Sequence, residues 1–162
     1  MDTVESFAIC LARAGFRLIV IFSAHAGNVP HLEAARQRLD LAVTKHGARA
    51  VVVGSTERFA ACFNRVVSSA GLREVSLPHA DAGETSVLAA IRPDLVHFDR
   101  FQPGSCDLPD LHEVLTLGLR RLTANGVLGD PTGANADVGE QILDALIDDL
   151  RDHIREELAN QA

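Results

Sequence analysis

Apolar and polar positions in the first third of the chain follow a pattern typical of a strand–helix–strand unit. Residues 3–14 place apolar side chains at helical spacing, and Gly15 stands where a glycine commonly ends a helix. The runs FRLIVIFS at 16–23 and ARAVVVG at 48–54 are apolar on both faces, as in buried strands. An amphipathic helix is predicted between them, at 31–46. This order predicts a right-handed crossover and a parallel sheet.

The rest of the chain predicts more helix and one long irregular stretch. The patterns predict three further helices, at 57–70, 86–92 and 138–158. Short strands are expected at 73–78 and 95–98. Residues 99–136 hold five of the twelve glycines, which predicts irregular structure with one helical piece near 110–123. Because no repeat or linker interrupts the chain, we predict a single α/β domain over residues 1–162.

Composition and charge exclude several classes of protein. The 162 residues are 47% apolar and carry a net charge of −7, so we expect a globular chain that binds neither nucleic acid nor anionic membranes. No apolar run is long enough to span a bilayer, and the acidic start does not resemble a signal peptide. The three cysteines are odd in number and lack CxxC spacing, which favours a reducing cytoplasm.

The loop Ser23–Asn28, with the sequence SAHAGN, is the first candidate site. It follows a predicted parallel strand, and ligands of open α/β sheets bind at the carboxyl ends of their strands. Small residues flank His25, so this imidazole is well placed to ligate a metal or act as a base. The alternative is a loop histidine that caps the next helix, with Asn28 as a cap or turn residue.

The segment HADAGETS, residues 79–86, is the second candidate. His79 and Glu84 bracket a turn that opens a helix, and a converging imidazole and carboxylate can share acid–base work. The structural alternative is a helix cap, with Asp81 as the capping residue and Glu84 as its capping-box partner.

The other histidines and the cysteines lack comparable settings. We expect His46 and His153, near helix ends, to be solvated, and His97 to be a core residue of a strand. Cys62 lies on a helical stripe and is expected in the core. The glycine-rich segment GVLGDPTG, residues 126–133, has turn chemistry and forms either the rim of a pocket or a surface loop.

Four ordered motifs resemble the creatininase (creatinine amidohydrolase) family. They are SAHAGN at 23–28, HADAGETS at 79–86, IRPDLV at 91–96 and GVLGDPTGANADVGEQIL at 126–143. The family typically shows NGHGGN, HAGxxETS, LRPDLV and GVxGDPTxAxxxxG in the same order. The resemblance covers nearly the whole chain and implies a three-layer α/β/α fold with a mainly parallel central sheet.

The resemblance also implies a chemistry. Family members hydrolyse non-peptide C–N bonds in cyclic or linear amides, use a binuclear site of zinc, manganese or iron, and are commonly oligomeric. Carried over residue by residue, His25 is the metal ligand, His79 handles protons near the substrate, and Glu84 lines the site. We place Asn28 and Asp81 among the residues that contact the substrate.

The sequence departs from the family in one decisive respect. The family's first half supplies an E-H-G-P-H-L-P motif and a following aspartate, which hold the metals, and this chain starts after that segment. Gly27 stands where creatininase proper has a metal-binding glutamate, Ser23 replaces asparagine, and Asp81 replaces glycine. Tryptophan and tyrosine, which wall the creatinine pocket, are absent.

One histidine and a carboxylate are too few for two cations, since catalytic zinc takes at least three protein ligands. Three interpretations follow. The chain is one part of a metal amidohydrolase, completed by a partner or truncated; or it is a non-catalytic binding or regulatory relative; or it reuses His79 and Glu84 without metal. A sheet lacking strands also leaves an edge uncovered, so we expect self-association or a partner.

Overall fold

The structure, a computed structural model, describes residues 2–74, 79–105 and 116–159. They form two compact units. The first runs to Phe59 and resumes at Asp148, and the second comprises Ala60–Ile147. Among the described residues no helix is long and apolar enough to cross a membrane.

The first unit is built on the predicted parallel crossover. Helix α1 (Asp2–Arg13) precedes strand β1 (Leu18–Ile21), and helix α2 (Val29–Thr44) leads to strand β2 (Arg49–Val52). The strands pair in parallel, with Leu18 opposite Arg49 and Ile21 opposite Val52. The crossover and the strand direction are therefore confirmed.

One face of this small sheet forms the core of the first unit. Ile19, Ala50 and Val52 pack with the apolar stripe of α2, in which Leu39 and Val43 are fully buried. The rest of the cluster comes from α1, α2 and the residue before β2, namely Ala8, Ala12, Leu32, Ala35 and Ala48. The small alanines of α1 let that helix lie close to α2.

The second unit is mainly helical. It contains most of α3 (Thr56–Ser69), α4 (Ala82–Ile91), the short α5 (Leu119–Leu122) and the first half of α6 (Ala136–Ala159). Isolated β-bridges join His79 to Leu128 and Ser105 to Leu128, and Leu128 is buried. Cys62 is also buried, on α3, as predicted.

Helix positions agree with the sequence pattern, but the strand expected at 95–98 is wrong. Two 3₁₀ turns, Pro93–Leu95 and Phe98–Arg100, occupy that segment. Leu95 and Phe98 are half exposed, so the apolar run is not a buried strand. Arg73 and Glu74 are not in a strand, whereas residues 75–78 and most of the piece near 110–123 lie outside the described residues.

Candidate functional site

His25 lies in a loop that directly follows β1, as predicted, and a network centred on Ser23 shapes this loop. The Ser23 hydroxyl donates to the carbonyl of His25 at 3.1 Å and accepts the His25 N–H at 3.1 Å. It also accepts the Asn28 side-chain amide at 3.2 Å. The His25 side chain is exposed. The hydroxyl therefore fixes the backbone on both sides of an imidazole that is open to a ligand.

Asn28 and Gly27 complete the loop in different ways. Asn28 occupies the N-cap position of α2, but its side chain makes no capping hydrogen bond, and its amide N–H donates to the Ser23 hydroxyl. A Cβ at Gly27 would lie 2.8 Å from His25 Nε2, so the imidazole packs over this glycine. A larger residue here would displace the imidazole from the position it has in this loop.

His79 is fixed through its backbone to the turn that contains Leu128 and Asp130. The His79 N–H donates to the Leu128 carbonyl at 3.2 Å, and the Leu128 N–H donates back at 2.9 Å. The Ala82 N–H donates to the Asp130 carbonyl at 2.9 Å. The GVLGDPTG segment is thus the partner that holds the HADAGETS loop, rather than a free surface loop.

Asp81 and Glu84 form the capping arrangement that the sequence offered as the structural alternative. Asp81 is the N-cap of α4, and its carboxylate accepts the Glu84 N–H at 2.9 Å. The Glu84 carboxylate reaches back to the Ala80 N–H at 2.7 Å. Ala80 has a φ of +53°, a left-handed conformation that costs energy in a residue other than glycine. The paired caps hold this strained turn in place.

Asp81 is buried, with 2% of its surface exposed. Burial raises the pKa of its carboxyl to about 6, and the nearby Glu84 carboxylate acts in the same direction, against the backbone hydrogen bonds. The hydrogen bond from the Glu84 N–H assigns this buried carboxylate to the cap of α4. Asp81 therefore positions this loop, and the substrate contact predicted for it from the sequence stays a prediction.

We expect Asp81→Asn to change the pH dependence of stability. A raised folded-state pKa means that wild type loses stability as pH rises from about 4 to above 6, by about 3 kcal/mol at most. The amide keeps a capping oxygen and does not ionise. Urea unfolding at pH 4.5 and pH 7.5 should show a smaller loss for the variant, and equal losses would contradict the buried charge.

His79 and Glu84 converge at the mouth of this turn. His79 Nδ1 lies 4.0 Å from Glu84 Oε2, and both side chains are about half exposed. Since the hydrogen bond from Ala80 fixes the carboxylate, it can orient the imidazole and leave Nε2 free toward solvent. The pair can accept a proton from a water or return one to a leaving group.

The described residues do not fit a complete metal site. Nowhere in 2–74, 79–105 or 116–159 do three or more His, Cys, Asp or Glu side chains gather in a way that could hold an ion. The residues that share the hydrogen-bonded loop with His25 are Ser23 and Asn28, whose side chains are poor zinc ligands. Within these residues the His25 loop can supply at most one good metal ligand, the imidazole.

Sequence reasoning missed the role of Ser86, the serine of the ETS triplet. This residue is fully buried, and its hydroxyl donates to the Ala82 carbonyl at 2.6 Å and accepts the Asn135 N–H at 3.1 Å. Asn135 in turn caps α6 by accepting the Val138 N–H at 3.0 Å. The small hydroxyl residue thus joins the starts of α4 and α6, a long-range contact that no local pattern encodes.

Ser86→Ala should therefore destabilise the protein by about 1–3 kcal/mol, because the buried hydroxyl and both of its hydrogen bonds are lost and the Asn135 N–H loses its acceptor. Chemical denaturation monitored by circular dichroism measures the loss. Thr85→Ala at the adjacent, half-buried position is the control and should cost less, since the Thr85 hydroxyl makes only a 3.4 Å bond, to the Ala80 carbonyl. Equal costs for the two variants would contradict the assigned role.

Two histidines differ from their predicted environments. His153 is not solvated, since its side chain is only 12% exposed and its Nδ1 accepts the Gly54 N–H at 3.0 Å. His97 is exposed and precedes a 3₁₀ turn instead of lying in a core strand. His46 is exposed as predicted, and Cys106 and His112 lie outside the described residues.

The site residues predicted from sequence thus fall into two groups. His25 and Asn28 share one hydrogen-bonded loop in the first unit, and His79, Asp81 and Glu84 share one capped turn in the second. The hydrogen bonds that hold each group come from residues to which the sequence motifs gave no role. These are chiefly Ser23 in the first group and the backbone of Leu128 and Asp130 in the second.

Comparison with known proteins identifies the family to which the chain is similar. A family model described as creatininase, creatinine amidohydrolase, matches residues 1–154. A protein from Mycobacterium ulcerans named mycofactocin precursor peptide peptidase is 34% identical over 136 residues, which is 81% of this chain and 45% of that protein.

Solved structures agree with the family match. A creatininase mutant complexed with creatine is 27% identical with a TM-score of 0.71, covering 96% of this chain and 63% of that one. A Zn–Zn form of the mutant is 29% identical with a TM-score of 0.68, covering 96% and 62%. The chain therefore spans less than half of the mycobacterial relative and under two thirds of the creatininase chain. The predicted α/β fold is confirmed.

Proposed function

Because this chain belongs to the creatininase family, we propose that it is one part of a metal-dependent amidohydrolase whose remaining metal ligands come from a partner polypeptide. The reaction is hydrolysis of an amide C–N bond. The metal is a divalent cation, zinc, manganese or iron, and the working form is an assembly of this chain with its partner.

The observation that carries this proposal is the His79–Glu84 pair. A purely structural capping box needs Asp81 and Glu84 but no imidazole. Here His79 Nδ1 faces the Glu84 carboxylate at 4.0 Å while its backbone is bonded on both sides to Leu128. A fixed backbone that presents an exposed imidazole beside a carboxylate suits proton transfer better than it serves folding. This supports a role for His79 as the group that moves protons at the substrate.

Among the described residues, His25 alone supports the metal-binding part of the proposal. Its loop leaves the imidazole exposed and backed by Gly27, as a donated ligand requires. A bound divalent metal supplies a water of lowered pKa at neutral pH. Fewer than three ligands hold such an ion weakly, so the lone chain should bind metal poorly and hydrolyse amides poorly.

Two amide substrates follow from the similar proteins. The relative's name indicates a precursor peptide, and the family description, creatinine amidohydrolase, indicates the cyclic amide creatinine. Since the lone chain lacks tryptophan and tyrosine, it offers no large aromatic wall for a flat ring. We therefore propose a linear peptide amide as the first substrate to test, with creatinine as the second.

The alternative function is a non-catalytic creatininase-like binding or regulatory protein. The absence of a three-ligand group among the described residues favours it. The capping roles of Asp81 and Glu84 are compatible with a scaffold that has kept its turn without its chemistry. The two functions differ in what the chain does when the missing ligands are supplied.

The deciding experiment supplies those ligands in trans. The part of the Mycobacterium ulcerans relative that lies outside the match is produced as a separate polypeptide and mixed with this chain and zinc or manganese. We expect bound metal and amide hydrolysis in the mixture, with both reduced at least tenfold by His25→Ala. His46→Ala, another exposed histidine, is the control and should change neither. A complex without metal or turnover would support the non-catalytic alternative.

A further inference from the structure

A pocket with a volume of about 290 Å³ lies in the second unit, beside the capped turn of the HADAGETS segment. Ala80 and Thr85 of that segment form one part of its wall. The rest of the wall comes from α4 and from the segments 95–102 and 125–131. The proposed hydrolysis gives this pocket no role, although the pocket borders the turn that presents the imidazole and carboxylate.

Hydrogen bonds between neighbouring segments hold the walls of this pocket in place. The Gly104 N–H donates to the Gly129 carbonyl at 2.9 Å, and a Cβ at Gly104 would overlap the Val127 carbonyl. The Asn125 side chain donates to the Pro103 carbonyl at 3.2 Å and accepts the Val127 N–H at 3.1 Å. Because these segments are in direct contact, the pocket has its shape before a ligand binds.

Large apolar side chains supply much of the lining. Leu88 and Leu95 are 41% and 51% exposed, and Phe101 and Val127 are partly buried. The Phe101 ring packs against Phe98 with 5.3 Å between the ring centroids, which fixes its place in the wall. Aliphatic and aromatic side chains that line a pocket and remain open to solvent indicate a site for an apolar group.

The polar part of the lining has a positive charge. Arg100 and His97 both line the pocket, and none of the described residues that line it carries a carboxylate. The Arg100 N–H donates to the His97 carbonyl at 2.9 Å, so a 3₁₀ turn fixes the backbone between them. In a chain with a net charge of −7, a pocket with a guanidinium and without a carboxylate favours an anionic ligand.

We propose that this pocket binds a small aliphatic carboxylate, with its charge on the Arg100 guanidinium and its apolar chain against Leu88 and Leu95. The planar fork of a guanidinium matches a carboxylate in both shape and charge. Pockets for drug-sized ligands span roughly 300–1,000 Å³, so a pocket of about 290 Å³ suits a smaller molecule. The ligand needs no metal ion, and the site is therefore independent of the proposed hydrolysis.

Such a carboxylate has two sources, a free aliphatic acid and the last residue of a peptide. Gln102 also lines the pocket, and its side-chain amide can pair with a peptide group, which a free acid lacks. Isocaproate and N-acetylleucine share the same branched chain and carboxylate, and only N-acetylleucine carries a peptide group. Tighter binding of N-acetylleucine assigns the pocket to a peptide terminus, and tighter binding of isocaproate assigns it to a free acid.

The test titrates this chain alone with isocaproate and follows the backbone amide signals by nuclear magnetic resonance. Saturable shifts are expected at Thr85, Leu88 and Arg100. Isocaproamide lacks the charge and acetate lacks the chain, so each should bind at least about tenfold more weakly. Arg100→Gln should weaken isocaproate binding at least about tenfold. Arg92→Gln removes the same charge from a guanidinium that is bonded to Asp94 and does not line the pocket, and should change binding less than about twofold.

The outcomes separate the pocket from the proposed hydrolysis. Shifts that do not saturate, or that are confined to residues outside the pocket, overturn the proposal. Equal affinity for isocaproate and isocaproamide, or equal weakening by the two arginine variants, also overturns it. Binding by this chain without hydrolysis in the mixture of chain and complement keeps the pocket and removes the proposed activity. Circular dichroism of each variant before titration shows that the substitutions leave the chain folded.

Discussion

Gly139→Ala should destabilise the protein by about 3 kcal/mol or more, a large loss for a single added methyl group. A Cβ at Gly139 would lie 2.0 Å from the Ser86 carbonyl oxygen and 2.9 Å from the Ala90 Cβ. The first obstacle is backbone, so it cannot turn aside as a side chain can. Helices α4 and α6 would have to separate, although alanine is the better helix former.

The measurement is urea unfolding followed by ellipticity at 222 nm. Glu140→Ala on the exposed neighbouring position is the control, since glutamate and alanine have similar helix propensity, and it should stay within about 0.5 kcal/mol of wild type. A Gly139→Ala variant as stable as the control would show that the two helices do not approach as closely as the structure places them.

In the proposed assembly of this chain with its complement, His79→Gln should lower kcat by about 10² to 10⁴ while leaving stability nearly unchanged. The fold holds His79 through its backbone bonds to Leu128, which glutamine keeps, and the side chain is half exposed. Only the acid–base function of the imidazole is lost. Steady-state hydrolysis of a peptide amide by the mixture of chain and complement gives kcat, and thermal unfolding gives the stability.

His153→Ala should show the opposite behaviour and serves as the control. Its imidazole accepts the Gly54 N–H, so removal should cost about 1–2 kcal/mol in stability and leave kcat per folded molecule unchanged. Glu84→Gln should lower kcat less than His79→Gln and cost less stability than His153→Ala. The Ala80 N–H keeps an acceptor in this variant, but the charge that orients His79 disappears. If His79→Gln and His153→Ala act alike, His79 has no special chemical role.

Local signals in the sequence located the crossover and both loops. Apolar runs at 16–23 and 48–54 with an amphipathic helix between them predict the parallel pair β1 and β2, because buried strands and amphipathic helices differ in periodicity. The loop of small residues around His25 and the turn around Asp81 are also recognisable from local sequence. Glycine and capping residues have local conformational preferences that sequence alone reveals.

Long-range contacts were the part that sequence could not supply. Nothing near Ser86 predicts that its hydroxyl meets Asn135, and nothing near His153 predicts that it accepts from Gly54. The strand expected at 95–98 failed because a short apolar run fits both a buried strand and an exposed 3₁₀ turn. The sequence left Glu84 open between capping and catalysis, and its distances show that it caps while also facing His79.

Metal content of the purified chain tests most directly the claim that the site is only partly contained in this polypeptide. After expression with zinc and manganese supplied and desalting without chelator, inductively coupled plasma mass spectrometry should find well below about one ion per chain. Addition of the complementary polypeptide should raise this toward about two ions. Two tightly held ions in the chain alone, together with unaided amide hydrolysis, would contradict the account.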